Sequence, residues 1–309
     1  MKLIKPSFEI WDQEEGLEGV YKQIERAGRV CYKSEDKITE DSAKGFVDRM
    51  VKSGHGAMLE HGTVYLDMPN SAGDYDLVPF FASNPYSRVV IKPLDDRVHN
   101  YVTTNFRVIV ENLAEEYIPD ILQYLCEPTE FHAKRVTVHF VCDRGVSHEF
   151  VRHRVMSFAQ ESTRYCNYSK DKFQGVTYIK PPWLDEDISN EDGSKFNDVY
   201  TDIYLHTLTT AENAYLDLLK QWDNKVPDKR FKSGYKNNPW TPQQARAVLP
   251  NSLKTELVMT GFVSDWEHFF KLRDAGNAHP QARELAHPLH MEFLRRNYLV
   301  DLYDEANPD

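Results

Sequence analysis

The stretch from Arg152 to Tyr165 concentrates positive charge in a chain that is otherwise acidic. It reads Arg-His-Arg-Val-Met-Ser-Phe-Ala-Gln-Glu-Ser-Thr-Arg-Tyr, whereas the whole chain of 309 residues has a formal net charge of −11. An arginine side chain offers a planar fork of donors that fits the oxygens of a phosphate or a carboxylate. Serine hydroxyls and free backbone amides can complete such a cradle. The stretch therefore indicates a binding site for anions.

The residues just before this stretch, 143–151, carry apolar side chains at helical spacing. If that helix continued through Arg154, successive side chains would project about 100° apart, so Arg152 and Arg154 would point about 200° apart. Two anionic ligands, one on each side of the segment, would then be needed. The simpler alternative is an exposed helix whose arginines pair with carboxylates such as Glu149 or Glu161.

The order and spacing of these residues resemble the signature of flavin-dependent thymidylate synthases. Arg152-His153-Arg154 is followed, after seven residues, by Ser162 and then by Arg164-Tyr165. Further segments that resemble the family, in the family's order, are Glu60–Thr63, Gln244–Pro250 and Phe269–Arg273. The resemblance runs from about residue 20 to about residue 295, with inserted stretches near 69–130 and 181–240.

The resemblance implies both a fold and a reaction. The fold would be α+β, a single domain over residues 1–309 with a central mixed or antiparallel sheet flanked by long helices, as in thymidylate synthase complementing proteins. The reaction would be the reductive methylation of dUMP to dTMP by a methyltransferase that takes its carbon from methylene-tetrahydrofolate. FAD would supply the hydride and NADPH would reload the flavin. A homotetramer with active sites at subunit interfaces is expected.

The resemblance also implies roles for individual residues. Arg273 would be the catalytic residue, stabilising negative charge that develops on the uracil ring. The residues expected to bind dUMP are Glu149, Phe150, Val151, Arg152, Gln160, Glu161, Ser162, Thr163, Arg164, Arg246 and Arg273. The residues expected to bind FAD are His61, Thr63, Arg152, His153, Arg154, Gln160, Phe262 and His268. No metal ligands are expected.

The chain departs from the family pattern at several of these positions. The family often has an Asn-Glu pair before the signature serine, and the matching positions here are Ala159 and Gln160. Two asparagines that commonly meet the flavin are replaced by Phe262 and His268. Ser162 has the position of a nucleophile, but no nucleophile-elbow pattern surrounds it and a catalytic serine needs an adjacent, oriented base. Ser162 is therefore assigned to substrate binding.

Simpler structural roles compete with these assignments. Arg246 could pair with a carboxylate, Arg273 could be a cation at a helix C-terminus, and His61 could be a structural histidine at a loop-to-strand junction. A nucleotide- or single-strand RNA-binding protein could use Arg152–Arg164 together with Tyr165 and Tyr168. The acidic balance disfavours a general nucleic-acid binder. A phosphoryl-transfer enzyme would need a P-loop or a kinase signature set, which the sequence lacks.

Cysteine usage and hydropathy limit the location of the protein. Cys31, Cys126, Cys142 and Cys166 form no C-x-x-C pair, so free thiols in a reducing compartment are expected. Cys166 lies beside the signature and is the one candidate for a reactive thiol. The first residues lack the apolar run of a signal peptide, and no apolar stretch approaches the roughly 18–20 residues of a membrane span. The sequence predicts a cytoplasmic protein without a membrane span.

Apolar periodicity and capping residues predict the main elements around the signature. Strands are predicted within 3–11, 101–110, 134–142, 176–179 and 253–262. Helices are predicted over 16–30, from Thr39 to Gly54, over 113–125, from Asp143 through the signature, over 196–222, from Thr241, from Ser264 and around Pro288. In the second of these helices Val51 is predicted to face the protein interior. In the helix over 196–222, Val199 and Ile203 are predicted to pack against the rest of the protein. Residues 185–194 are predicted to be an acidic loop, and 225–239 a basic exposed insertion.

Overall fold

The computed structural model describes residues 1–69, 77–94, 97–184, 199–220 and 239–299. The described strands are β1 (Lys2–Ile4), β2 (Ser7–Trp11), β3 (Thr63–Pro69), β4 (Arg88–Leu94), β5 (Arg97–Asn105), β6 (Arg135–Asp143), β7 (Ser157–Gln160), β8 (Thr177–Ile179) and β9 (Lys254–Phe262). The described α-helices are α1 (Gly16–Tyr32), α2 (Ser42–Ser53), α3 (Leu77–Ser83), α4 (Phe106–Asn112), α5 (Ile118–Leu122), α6 (Arg144–Phe150), α7 (Val199–Leu219), α8 (Pro242–Ala245), α9 (Val263–Arg273) and α10 (Pro280–Arg295). The predicted acidic loop 185–194 and nearly all of the basic segment 225–239 lie outside the described residues.

A four-stranded antiparallel sheet in the order β2-β6-β9-β7 lies at the centre of the fold. On one face, Phe140 of β6 is wholly buried against Trp266 of α9, in a cluster that α10 completes with Phe293. Burying each such side chain contributes about 1.5–3 kcal/mol. On the other face, Ala27 of α1 packs with Ala159 of β7. The predicted α+β fold, with an antiparallel central sheet flanked by long helices, is confirmed.

Two smaller sheets accompany the central one. β1 and β8 pair in parallel, and β3, β5 and β4 form an antiparallel sheet in that order. The second of these sheets is built largely from the first inserted stretch. Its strand β5 ends earlier than predicted, because the Asn105 side chain accepts a hydrogen bond from Val108 N–H and caps α4. The helix predicted over 113–125 is reduced to the five residues of α5 and a preceding 3₁₀ turn.

Several helix boundaries differ from the sequence prediction. Helix α2 begins at Ser42 rather than directly after Thr39, and Gly54 ends it in the left-handed conformation, with φ of 69°, as predicted. Val51 was predicted to face inward but is 46% exposed. In α7 the predicted packing residues Val199 and Ile203 are also exposed, whereas Leu208 and Tyr215 are buried.

Helices α9 and α10 bring the C-terminal part of the chain to the central sheet. Helix α9 begins at Val263 because the Asp265 carboxylate accepts from Phe262 N–H, so the predicted cap at Ser264 is wrong. Pro288 was expected to kink or restart the closing helix, and α10 runs through it as one helix without a restart. Within the described ranges, no helix combines the length and apolar character needed to cross a bilayer.

Candidate active site

The signature follows a short helix that is stopped before the first arginine. Asp143 caps α6 by accepting from Val146 N–H at 2.8 Å, as the sequence predicts. The helix ends at Phe150, so it does not continue through Arg154, and the prediction of opposed arginines on one helix is wrong. Residues 151–156 form turns instead, and Val155 adopts a φ of 74°. A left-handed β-branched residue is strained, and such strain is found at binding sites.

The signature arginines are exposed and form no ion pair with any described residue. Arg152, Arg154 and Arg164 are all exposed, and none lies within 4.0 Å of a carboxylate of the described residues. The two carboxylates that could have neutralised them are engaged elsewhere, because Glu149 pairs with Arg273 and Glu161 pairs with Lys254. The alternative of a self-neutralised surface helix therefore does not describe this segment.

Arg273, the last residue of α9, is bound directly to the signature region. Its Nη1 donates to a carboxylate oxygen of Glu149, its Nη2 donates to the Glu149 carbonyl at 3.0 Å, and its Nε donates to His153 Nε2 at 3.0 Å. A guanidinium has five N–H donors, so two remain for a ligand. The position of Arg273 is thus set by Glu149 of α6 and by His153 of the signature, which a cation serving only a helix terminus would not require.

His153 is neutral in this arrangement. It is 4% exposed, and burial lowers its pKa to about 4, with the charge of Arg273 and then His268 as further causes. Because Nε2 accepts from Arg273, the ring proton lies on Nδ1, which is buried and has no partner among the described residues. His268 is exposed and meets His153 edge-on, with ring centroids 5.8 Å apart.

A second arginine reaches the signature from α8. Pro242 is the first residue of this helix, and Gln244 Oε1 accepts from Thr241 N–H, as its start signal predicts. Arg246 follows in a 3₁₀ turn, is exposed and donates from Nη1 to Thr163 Oγ1 at 2.9 Å. The predicted juxtaposition of Arg246 with the signature loop is present, and a carboxylate partner for Arg246 is absent from the described residues.

Ser162 has the surroundings of a binding residue. Its N–H donates to the Cys31 carbonyl at 2.9 Å, and its Oγ accepts from Arg164 N–H at 3.3 Å. Among the described residues, no histidine or carboxylate lies within hydrogen-bond distance of Oγ. Without such a base the hydroxyl has no route to a nucleophilic alkoxide.

The side chain of Glu161 points into the protein rather than toward the signature arginines. It is 2% exposed, accepts from Tyr168 Oη at 3.0 Å and pairs with Lys254 Nζ at 2.9 Å. Lys254 also pairs with Glu256, and Glu256 pairs with Lys33. The Glu161 side chain is therefore not available for the expected contact with dUMP in this structure. Instead, the buried network of Glu161, Lys254, Glu256 and Lys33 anchors the signature loop to the protein interior.

Three other expected dUMP residues differ in what they can offer. The Phe150 side chain is wholly buried in the main core, so it cannot face a ligand, whereas Val151 is 37% exposed. Gln160 is half-buried and donates from Nε2 to Ser147 Oγ at 2.8 Å and to Thr255 Oγ1 at 3.2 Å. Gln160 thus orients the end of β7 without adding the negative charge of a glutamate.

His61 and Thr63 lie beneath β7, the strand within the signature. His61 ends a 3₁₀ turn (Gly56–His61), is wholly buried, and places Nδ1 2.8 Å from Thr260 Oγ1. Burial, followed by the nearby charge of Arg135, lowers the His61 pKa to about 3. Its Nε2 is buried without a partner among the described residues. Thr63 Oγ1 accepts from Arg135 Nη1 at 3.2 Å.

The ring of Phe262 is covered by two guanidinium groups rather than left open. Arg88 lies over the ring with its Cζ 4.5 Å from the centroid, and the Arg135 Cζ lies 5.6 Å from it. Phe262 itself is 4% exposed. The expected contact of this ring with a flavin is therefore not offered by the structure. Sequence reasoning missed both arginines, and the one signal was that Arg135 is a cation at the first residue of a buried strand.

None of the four cysteines, all of which lie in the described ranges, forms a disulfide. Cys142 and Cys166 are buried and Cys31 and Cys126 are half-buried, all as free thiols. Burial raises the pKa of Cys166 to about 12. The thiolate is the reactive form of cysteine, so Cys166 is held in its unreactive form despite its place beside the signature.

A flavin fits the chemistry of the residues expected to hold it. His61 Nε2 and His153 Nδ1 are two buried ring nitrogens without a partner in the described part of the chain. A buried unsatisfied polar group costs about 1–3 kcal/mol, which a ligand can recover by hydrogen bonding. Exposed Arg154 adds a cation for a phosphate. His61, Thr63, His153, Arg154 and His268 remain the residues that would hold the cofactor.

Comparison of the chain with known protein families identifies its family. Residues 86–296 match the family described as thymidylate synthase complementing protein. The chain belongs to this family. The resemblance inferred from the signature is confirmed, and the thymidylate synthase complementing protein match includes the signature, Arg246 and Arg273 but begins after His61 and Thr63.

Curated relatives of the chain are named flavin-dependent thymidylate synthases. The Corynebacterium diphtheriae relative is 29% identical over 143 residues, which cover 46% of this chain and 50% of the relative. The Pyrococcus horikoshii relative is 25% identical over 227 residues, covering 73% and 82%. The chain thus spans about half the length of the first of these relatives. Among solved structures, UMP/dUMP methylase PolB from Streptomyces cacaoi bound with 5-Br dUMP has a TM-score of 0.41 and 18% identity, covering 96% of this chain and 93% of that one.

Proposed function

We propose that the protein is a flavin-dependent thymidylate synthase that converts dUMP to dTMP. Methylene-tetrahydrofolate would donate the carbon, FAD would supply the hydride, and NADPH would reload the flavin. The observation that carries this proposal is a set of arginines without a carboxylate partner among the described residues, Arg152, Arg154, Arg164 and Arg246. They surround a loop that Arg273 of α9 borders, and Glu149 and His153 orient Arg273. An acidic protein with this local charge is suited to a small anionic substrate.

Arg273 would stabilise the electron-rich uracil ring. Its guanidinium keeps its charge at working pH, and Glu149 and the His153 ring hold it in place through three hydrogen bonds. A donor that is oriented before the reaction begins stabilises developing charge without reorganisation. The remaining N–H groups of Arg273 are free to reach a ring carbonyl oxygen.

Arg246, Ser162 and Arg164 would bind the phosphate and sugar of dUMP. Arg246 is fixed to Thr163 at 2.9 Å, so its charge lies directly beside the loop of Ser162 and Arg164. The buried network of Glu161, Lys254 and Glu256 would keep this loop in one conformation. The chemistry would thus depend on positioning and electrostatics, while the cofactor carries the redox work.

A homotetramer with active sites at subunit interfaces accompanies this proposal. His61 lies inside the protein beneath β7, whereas Arg152 and Arg154 face outward. Large ligands held by the outward arginines would need a second surface to cover them. Light scattering of the FAD-bound protein should give a tetramer, and a monomer under these conditions would contradict this part of the proposal.

The reaction is tested by release of tritium from dUMP labelled at carbon 5. Release should require methylene-tetrahydrofolate, FAD and NADPH together, and the purified protein should be yellow with flavin absorption. A colourless protein that binds single-strand RNA and releases no tritium would instead support the binding function of Arg152–Arg164. Arg49→Ala, an exposed arginine on α2 far along the chain from the signature, provides a control that should release tritium normally.

A further inference from the structure

Two arginines outside the signature, Arg88 and Arg135, lie near each other, and neither has a carboxylate partner among the described residues. Arg135 is 8% exposed and begins β6, and Arg88 is half-buried and begins β4. Both guanidinium groups lie over the ring of Phe262. In the described ranges no carboxylate lies within 4.0 Å of either one. Burying an unpaired charge is strongly unfavourable unless a ligand supplies the counter-charge.

The nearest carboxylates are already engaged. Burial lowers the pKa of Arg135 to about 10 and the charge of Arg88 adds to this effect, whereas Tyr65, Glu60 and Asp265 oppose it. The Glu60 carboxylate pairs with Arg107 Nη1, and Asp265 accepts from Phe262 N–H. Each carboxylate thus has a nearer partner than the two arginines, and neither lies within ion-pair distance of Arg88 or Arg135.

The β3-β5-β4 sheet adds neutral donors on the same side. Residues directly opposite each other in neighbouring antiparallel strands share a face of the sheet. Arg88 is paired with Thr103, and Thr63, whose hydroxyl binds Arg135, is paired with Asn105. Alternate residues of a strand also share a face. Thr103 and Asn105 therefore lie on the face that Arg88 and Arg135 border.

Unsatisfied polar atoms are concentrated on this face. Arg135 Nε, Thr103 Oγ1 and Asn105 Nδ2 are each buried without a hydrogen-bond partner among the described residues. Both Thr103 and Asn105 are wholly buried. Buried polar atoms are almost always paired in folded proteins, and here three that can donate occur beside two unpaired cations. We call Arg88, Thr103, Asn105 and Arg135 the donor face.

We propose that the donor face binds a phosphate or pyrophosphate group. At its Arg88–Arg135 end the face combines two cations with three buried polar atoms that lack a partner among the described residues. Such donors suit an oxyanion with several acceptor oxygens. Half-buried Arg88 provides the approach from solvent, while Arg135 reaches the signature strand through Ser157 Oγ at 3.4 Å. The group belongs to a nucleotide bound beside the signature, either FAD or NADPH. This assigns a binding role to the first inserted stretch, and it does not depend on whether the protein methylates dUMP.

The test measures binding of inorganic pyrophosphate by isothermal titration. The wild-type chain should show two classes of site, one at the signature arginines and one at the donor face. Arg88→Gln and Arg135→Gln should each weaken pyrophosphate binding at the donor face at least tenfold and leave binding at the signature arginines unchanged. Arg154→Gln should remove binding at the signature arginines. Arg49→Gln is the matched control, because Arg49 also lies over a phenylalanine ring without a carboxylate partner, with its Cζ 5.8 Å from the Phe46 centroid.

Stability separates a binding role from a structural one. Since Arg135 is an unpaired buried cation, Arg135→Gln should unfold at the same temperature as wild type or higher without ligand, and should lose the stabilisation that pyrophosphate gives. Arg88→Gln, at a half-buried position, provides the same comparison if Arg135→Gln does not fold. Titration of both variants with FAD, riboflavin and NADPH identifies the source, because only the nucleotide that uses the face should bind more weakly.

Wild-type pyrophosphate stoichiometry and affinity in Arg88→Gln and Arg135→Gln would overturn the proposal. Unchanged binding of FAD and of NADPH in both variants would do the same. Failure of the proposed reaction would appear separately, as absence of tritium release from labelled dUMP in a wild-type chain that still binds pyrophosphate at two classes of site.

Discussion

Arg273 Nε and His153 Nε2 are joined by a hydrogen bond of 3.0 Å, across 120 residues of sequence. The bond has two consequences for the site. It aims the guanidinium of Arg273 along the signature, and it keeps the His153 proton on Nδ1, where a ligand can accept it. The histidine in the middle of the signature is therefore a link between the expected cofactor residues and the expected catalytic residue.

The first prediction concerns the fork geometry of Arg273. Arg273→Lys keeps the charge but cannot bind Glu149 and His153 together, so turnover should fall by about 100-fold, or about 3 kcal/mol, while flavin still binds. Arg273→Ala should be slower still because the charge is lost. Single-turnover rates with dUMP and methylene-tetrahydrofolate measure the effect.

Arg295 provides the control for this experiment. It is also the last residue of a helix, α10, but it pairs with Glu292 on the surface. Arg295→Ala should react at the wild-type rate. If Arg273→Ala reacted equally fast, Arg273 would be a helix-end cation only.

The second prediction separates binding from nucleophilic catalysis at Ser162. Because its hydroxyl contacts Arg164 N–H and no base, Ser162→Ala should bind dUMP about 3- to 10-fold more weakly, as expected for loss of about one hydrogen bond. It should still form dTMP at saturating dUMP. Complete loss of turnover with unchanged dUMP affinity, together with a covalent adduct on the wild-type serine, would show the opposite role.

Part of this site could be predicted because its residues carry local signals or a family pattern. Asp143 caps α6 as its position before an apolar run indicates, and Arg246 contacts Thr163, another residue that the resemblance assigns to dUMP binding. The end of α6 could not be predicted, since a valine at positive φ contradicts valine's own preference. Arg135 could not be assigned either, because its partner Thr63 lies 72 residues away and on another sheet.

The third prediction uses the strain at Val155. Its φ of 74° places a β-branched side chain in the left-handed region, which glycine enters at no steric cost. Val155→Gly should therefore raise the free energy of unfolding by about 1 kcal/mol. Val155→Ala is the control, because alanine keeps the Cβ and most of the strain. Urea unfolding of both variants measures the difference, and equal stability of the two would show that the turn stores no strain.

The fourth prediction concerns the buried pair of Lys254 and Glu161. Lys254→Met would leave the nearly inaccessible Glu161 carboxylate without its cation, which typically costs about 3–5 kcal/mol. The matched control is Lys44→Met, which breaks the exposed pair of Lys44 and Asp48 on α2 and should cost less than about 0.5 kcal/mol. Urea unfolding at neutral pH compares the two. Similar losses would mean that the network beneath the signature loop is not an anchor.

The fifth prediction concerns the pH dependence of stability. Burial lowers the pKa of His61 to about 3 and of His153 to about 4, from an ordinary value of 6.5. Between pH 6.5 and 4 the unfolded chain thus binds protons at these histidines that the folded chain does not. The free energy of unfolding should be fully retained above pH 6.5 and should fall as the pH is lowered, by about 1.4 kcal/mol per histidine and pH unit.

His153→Gln isolates one contribution to that pH dependence. Glutamine cannot be protonated, so the variant should be less sensitive to pH between 6.5 and 4.5 than wild type, whatever its stability at pH 7. This window avoids Glu256, whose pKa is held below its ordinary value of 4.5 by His139, Lys254 and Lys33 against the effect of burial. His206→Gln, an exposed histidine on α7, should keep the wild-type slope. Equal slopes in His153→Gln and wild type would mean that His153 titrates normally, and that Arg273 does not hold it neutral.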